Sequence, residues 1–242
     1  MTSKPKHRIS VWSGPRNIST ALMYSFAQRR DTEVIDEPFY GAYLNELPSK
    51  ERHPGFEEVL TTMELNPQSV TDQLLQPIES DVLFIKNMTH HLGDMNRDFI
   101  LNFKNVLLTR DPKDMLPSFD RVVKNPTIQD VGYDAHMKLI QFLDHHDGSY
   151  HVLDAKRVQN DPKGQLRQLC EGLEIPFDMS MLSWPQGARS EDGCWAKYWY
   201  DSVHQSTNFA PYKPKNEAFP DRLKPLLEHC QPIYEKLLEL AL

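Results

Sequence analysis

Cysteine is scarce in this 242-residue chain: Cys170, Cys194 and Cys230 are odd in number and far apart. Such spacing offers neither a disulfide framework nor a zinc site, and it fits thiols kept reduced in a cytosol. Long apolar runs are absent as well. No stretch of about 18 apolar residues is available to cross a membrane, and the basic start through Arg8 lacks the apolar segment of a secretory signal. A cytoplasmic protein without a membrane partner is therefore expected. Positive charge is not in excess. The formal net charge of −7 argues against non-specific binding of nucleic acid, so any anion site must be a local gathering of Arg, Lys and backbone donors. No G-x-S-x-G elbow is present, which removes one kind of nucleophilic hydrolase. Internal repeats, low-complexity tracts and composition shifts are also missing. One domain over residues 1–242 is expected, long enough to bury a sizeable core.

Short apolar runs alternate with helical patterns along the chain. Ile9–Trp12, Val34-Ile35, Val82–Ile85, Val106–Leu108 and Tyr150–Leu153 read as strands, and stretches of helical spacing lie between them. That alternation predicts an α/β fold of three layers, a central mostly parallel sheet wrapped by helices on both sides. Residues 41–77 are polar and punctuated by prolines, and read as a cap or insertion over the site. The last segment, Phe219–Leu242, reads as an amphipathic helix or helix pair interrupted by Pro225 and Pro232.

The stretch Ile9–Leu22 reads as strand, loop and helix start, with Gly14-Pro15 forcing the turn. The first N–H groups of a helix have no intrahelical partner and carry partial positive charge, so an anion is their natural guest, and Arg16 adds a formal cation. The nucleotide-binding pattern G-x-x-x-x-G-K-[ST] fails here: Ser19 and Thr20 stand where its Gly and Lys belong. Pro15, Arg16, Asn17, Ile18, Ser19 and Thr20 instead resemble the 5′-phosphosulfate loop of sulfotransferases, with Asn17 at a usual Ser and Ile18 at a usual Gly.

A second motif extends that resemblance. Arg110 closes a strand, Asp111-Pro112 supplies a helix cap and first-turn proline, and Ser118 follows Arg110 by eight residues. The run Arg110-Asp-Pro-Lys-Asp-Met-Leu-Pro-Ser118 is similar to the family's 3′-phosphate motif, although Pro117 inside the helix departs from it. A guanidinium can grip a phosphate through two parallel N–H bonds, and a hydroxyl supplies a third. More loosely, Arg189 to Trp195 resembles a shortened form of the late loop that closes over the nucleotide. Together these motifs mark the chain as similar to sulfotransferases that use 3′-phosphoadenosine 5′-phosphosulfate (PAPS), over roughly Ile9 to Trp195.

The resemblance implies a P-loop-like fold and sulfuryl transfer from PAPS to a small-molecule acceptor, leaving 3′,5′-adenosine bisphosphate. Arg16 and the loop would hold the 5′-phosphosulfate, Arg110 and Ser118 the 3′-phosphate, with Arg189 and Gly193 closing over it; no metal is needed. Lys86, at a strand end, would stabilise the leaving side. A base must take the acceptor proton. Glu37, in Asp36-Glu37-Pro38, resembles the strand-end glutamate of carboxylate-base members. His90 and His91 are the rivals, in a Lys86-Asn-Met-Thr-His-His run similar to the family's Lys-Thr-His. Glu37 is preferred because the family's spacing places its histidine where this chain has Met88. The aromatic run Trp195–Tyr200 reads as core. Two other functions are compatible with the sequence: a nucleotide-dependent kinase, and a nucleotide-binding module without catalysis. Monomer and homodimer are both open.

Overall fold

The structure is a computed structural model that describes residues 6–214 and 217–242. Five apolar runs form the strands β1 (His7–Ser13), β2 (Thr32–Asp36), β3 (Val82–Met88), β4 (Lys104–Thr109) and β5 (Tyr150–Asp154). They pair in the order β2-β3-β1-β4-β5, and every ladder is parallel. The intervening helices are α1 (Ser19–Phe26), α2 (Tyr40–Glu46), α3 (Phe56–Thr62), α4 (Pro67–Leu74), α5 (Pro112–Asp120), α6 (Ile128–Val131), α7 (Tyr133–His145), α8 (Ala155–Asn160) and α9 (Pro162–Gly172). They are followed by α10 (Ala196–Trp199), α11 (Asp201–His204) and α12 (Lys224–Glu239).

Successive strand residues feed opposite layers, as the period of two requires. Ile9, Val11, Phe84, Leu108 and Leu153 pack with Leu22 and Phe26 of α1 and with Leu166 and Leu169 of α9. Trp12, Ile85, Leu107 and Val152 pack on the other side with Phe119 of α5, Leu143 of α7 and Leu237 of α12. These side chains are almost wholly buried, each contributing about 1.5–3 kcal/mol against the entropy of ordering the chain. The expected three-layer fold is the one observed.

The connections decide where a ligand can sit. The chain leaves β1, crosses β3 to reach the edge strand β2, returns through β3, then passes over β1 to β4. In open parallel sheets the crevice lies outside the carboxyl ends of the strands where such a reversal occurs. Here that mouth presents, in sheet order, the residues following β2, β3, β1 and β4.

Local chemistry explains the helix ends. The Asp111 carboxylate accepts the Lys113 N–H (2.8 Å) with Pro112 in the first turn, and Asp161 and Pro162 repeat the arrangement at α9. Pro117 removes one N–H from α5, yet the helix runs on to Asp120. Similarly, α12 is one helix with Pro225 in its first turn and Pro232 inside it, so the expected interruption is absorbed without a break. Residues 41–77 carry most of α2 with α3 and α4; Leu44 and Val59, beside Tyr40, pack on Trp195, Ala196 and Tyr200. Among the described residues, no helix is long and apolar enough to cross a membrane.

Candidate active site

A cleft of about 300 Å³ opens at the strand mouth, lined by the loop Pro15–Thr20, by Glu37, Lys86 and His90, and by Arg110 and Ser118. Residues from four separate strand ends thus meet in one cavity. Across the sheet the order runs from Glu37 after β2, through Lys86 in β3 and Arg16 after β1, to Arg110 after β4. A carboxylate side and a guanidinium side result.

On the guanidinium side, α1 begins without a side-chain cap. Its first intrahelical bond runs from Leu22 N–H to the Ile18 carbonyl (2.9 Å), leaving the N–H groups of Ser19, Thr20 and Ala21 outside the ladder. Asn17 fixes the loop: its side chain accepts the Ile18 N–H (3.0 Å) and donates to the Leu108 carbonyl (2.9 Å). Arg16 sits at φ 52°, in the left-handed region, which costs a non-glycine residue roughly 1 kcal/mol and turns its carbonyl toward Arg110. Arg110 Nη1 donates to that carbonyl (2.8 Å), while Arg16 donates from Nε to Ser118 Oγ (3.2 Å) and from Nη1 to the Trp199 carbonyl (3.1 Å). Among the described residues neither guanidinium pairs with a carboxylate. Burial and then the charges of Arg110 and Arg121 lower the Arg16 pKa, although a guanidinium stays charged in proteins. Two cations held close beside a hydroxyl and free N–H groups suit a polyanion.

The carboxylate side is a closed network. Lys86 is 1% exposed, and its three ammonium protons are matched by Asp36 Oδ1 (2.8 Å), Glu37 Oε1 and the Tyr200 hydroxyl (2.7 Å). Tyr200 in turn donates to Asp36 Oδ2 (2.7 Å) and accepts from Trp195 Nε1 (3.1 Å). Glu37 stands at φ 42° with its N–H on the Lys86 carbonyl (2.8 Å), so the sharp turn after β2 aims its side chain back at Lys86. Burial raises the Glu37 pKa; Lys86 opposes that rise and Asp36 adds to it. Burial alone would lower the Lys86 pKa, but the facing Asp36 and Glu37 carboxylates raise it.

His90 also lines the cleft, in the 3₁₀ turn Thr89–Leu92. Burial, with the neighbouring His53, lowers its pKa to about 3. His91 is stacked between Tyr40 and Tyr43, with centroids at 4.9 and 4.5 Å.

Arg189 and Gly193 do not join the cleft lining. Asp192 accepts the Arg189 N–H (2.9 Å), the Tyr24 hydroxyl (2.7 Å) and a His204 ring contact (2.9 Å), and the Arg189 guanidinium lies 4.9 Å over the Tyr24 ring. The Gly193 N–H reaches Asp36 Oδ2 (3.2 Å). In this arrangement Arg189 and Gly193 engage Asp192, Tyr24 and Asp36. Conversely, Tyr200, read from sequence only as core, is the hub of the buried network, and Asp36 is its second carboxylate.

The chain matches the family model described as sulfotransferase domain over residues 7–239. Two Arabidopsis thaliana relatives, branched-chain-amino-acid aminotransferase-like proteins 1 and 2, are 38% and 36% identical over 231 residues, 95% of this chain. The match covers 41% of each relative, so the chain spans less than half their length. Among solved structures, the sulfotransferase domain of the curacin biosynthetic pathway is similar at TM-score 0.54 and 16% identity, over 94% of this chain and 98% of that one. The sulfotransferase domain of the Synechococcus PCC 7002 olefin synthase gives TM-score 0.56 and 17% identity, over 94% and 95%. At those identities the likeness is one of fold.

Proposed function

The chain belongs to the sulfotransferase family, and we propose that it transfers the sulfuryl group of PAPS to a hydroxyl or amine of a small-molecule acceptor. The observation that carries this reading is the pair Arg16 and Arg110, without a carboxylate partner among the described residues, beside Ser118 and the open first turn of α1. Arg110 and Ser118 would take the 3′-phosphate. Arg16, the loop N–H groups and the hydroxyls of Ser19 and Thr20 would take the 5′-phosphosulfate. Gly193 and Arg189 would contribute once Asp192 releases Tyr24 and His204 and the Gly193 N–H leaves Asp36. The free thiols Cys170, Cys194 and Cys230 support a reducing, cytoplasmic setting.

In the reaction, the acceptor heteroatom forms its bond to sulfur as the bond from sulfur to the bridging oxygen breaks. The acceptor proton goes to Glu37, and the bridging electron pair stays with the 5′-phosphate. Arg16 and the α1 amino end neutralise the charge that accumulates there, as in other group transfers where positioning and electrostatics dominate. Lys86, its ammonium protons engaged by Asp36, Glu37 and Tyr200, would act by favouring the ionised form of Glu37. Residues 41–77 cap the acceptor side, where Tyr40 and His53 line the cleft.

Release of 3′,5′-adenosine bisphosphate from PAPS on addition of hydroxyl- and amine-bearing acceptors tests this reading. Glu37→Gln should lower kcat by about 10²–10⁴-fold with bisphosphate affinity kept. Normal turnover in that variant would remove Glu37 from the role of base.

A further inference from the structure

Glu37 shares Lys86 with Asp36, two adjacent carboxylates competing for one buried ammonium. A third group stands between them. The Tyr200 hydroxyl accepts one Lys86 proton and gives its own to Asp36, so it partly satisfies the carboxylate that competes with Glu37. Its own position is held by Trp195 Nε1 on one side and by the packing of α2 and α3 on the other. The preceding residue, Trp199, offers its carbonyl to Arg16 in the anion loop. One short segment, Trp195–Tyr200, therefore touches both halves of the cleft.

Resting on the sulfotransferase reading for its catalytic meaning, we propose that Tyr200 and Asp36 are positioning residues that set how Lys86 is divided between Asp36 and Glu37. The division matters because only an ionised Glu37 can take the acceptor proton. Every titratable group facing Glu37 enters the balance: Asp36 beside it on β2, Lys86 on β3, Tyr200 between α10 and α11, and Tyr40 at the start of α2. His91 faces Lys86 as a neutral ring, burial holding it well below the ordinary histidine range. Among these, the Tyr200 hydroxyl and Lys86 favour the Glu37 carboxylate, and the Asp36 charge disfavours it.

The two positioning groups therefore act with opposite signs. Tyr200→Phe deprives Asp36 of a donor and leaves it a stronger competitor for Lys86, so the Glu37 pKa rises. Asp36→Asn removes the competing charge, so the Glu37 pKa falls. Neither side chain touches Arg110 or Ser118, although Asp36 Oδ2 also accepts the Gly193 N–H (3.2 Å).

The test is a carbon-13 carboxyl titration of Glu37 in the wild type, Tyr200→Phe and Asp36→Asn, with kcat/KM pH profiles of the same proteins. Tyr200→Phe should move the Glu37 midpoint and the acid limb up by about one pH unit, a tenfold loss of turnover below the limb. Asp36→Asn should move both down. A merely structural role predicts lower melting temperatures with both midpoints unmoved, and that result, or shifts of the same sign, overturns the proposal. The titration needs neither donor nor acceptor. Loss of the sulfotransferase reading would show as absent bisphosphate binding in the wild type, and the titration would still decide the division of Lys86.

Discussion

Glu37 and His90 share one cleft but differ in how burial acts on them. Burial disfavours the charged form of either group, which raises a carboxylate and lowers an imidazole. Glu37 is thereby moved toward useful basicity, whereas His90, at about 3, is moved away from it. An acid limb lying above the ordinary carboxylate range is expected in kcat/KM. His90→Gln should leave that limb in place, and a limb that vanishes with His90 would return the histidine to the role of base. Arg16, Arg110 and Ser118 were legible through their resemblance to family motifs, and the fold joins Arg16 to Ser118 (3.2 Å) and Arg110 to the Arg16 carbonyl (2.8 Å). Tyr200 was not legible. Its hydroxyl reaches Asp36 across 164 positions, and an aromatic run carries no local mark of which ring will bring a hydroxyl to a buried lysine. Around Arg189 and Gly193 the partners were not legible for a related reason: Asp192, between them, finds Tyr24 and His204, which loop spacing does not reveal.

Among the elements, α5 links fold to site. It starts where the Asp111 cap fixes the first turn after β4, and two turns later it delivers Ser118 to Arg16. Pro112 and Asp111 announced that start in the sequence, and the interior Pro117 cost one bond without moving Ser118 out of reach. Asp111→Ala should destabilise the protein by about 1 kcal/mol and weaken bisphosphate binding through the displaced serine. Thermal melts with binding isotherms check both, and unchanged binding in a folded variant would separate the helix start from the site. All five strands were legible as apolar runs: the inner strands β3 and β4 are buried on both faces and nearly continuous in apolar residues, and the edge strand β2 keeps only Val34-Ile35 as its mark. The order β2-β3-β1-β4-β5 was not, since a parallel ladder depends on crossovers that no single run specifies.

For the whole molecule, acid response follows from the buried histidines. His53, His90, His91 and His136 all have pKa values lowered mainly by burial. In the unfolded chain they take up protons near 6.5, while the folded chain resists, so the unfolded state binds more protons over that interval. Stability from these groups is complete above about pH 6.5 and is lost as pH falls toward the folded values, about 3 for His90. Melting temperature should decline steadily from about pH 6.5 downward, and less steeply in His90→Gln. A flat profile between about pH 7 and 4.5 would contradict neutral burial of these rings.

On the proposed reading, the strand mouth binds a nucleotide carrying a 3′-phosphate. The most direct test is calorimetric titration with 3′,5′-adenosine bisphosphate and with ATP plus Mg²⁺, on the wild type and Arg110→Ala. Preference for the bisphosphate, reduced at least tenfold in the variant, is the expected result. Preference for ATP, or indifference to the loss of Arg110, would contradict the sulfotransferase site and leave only the fold.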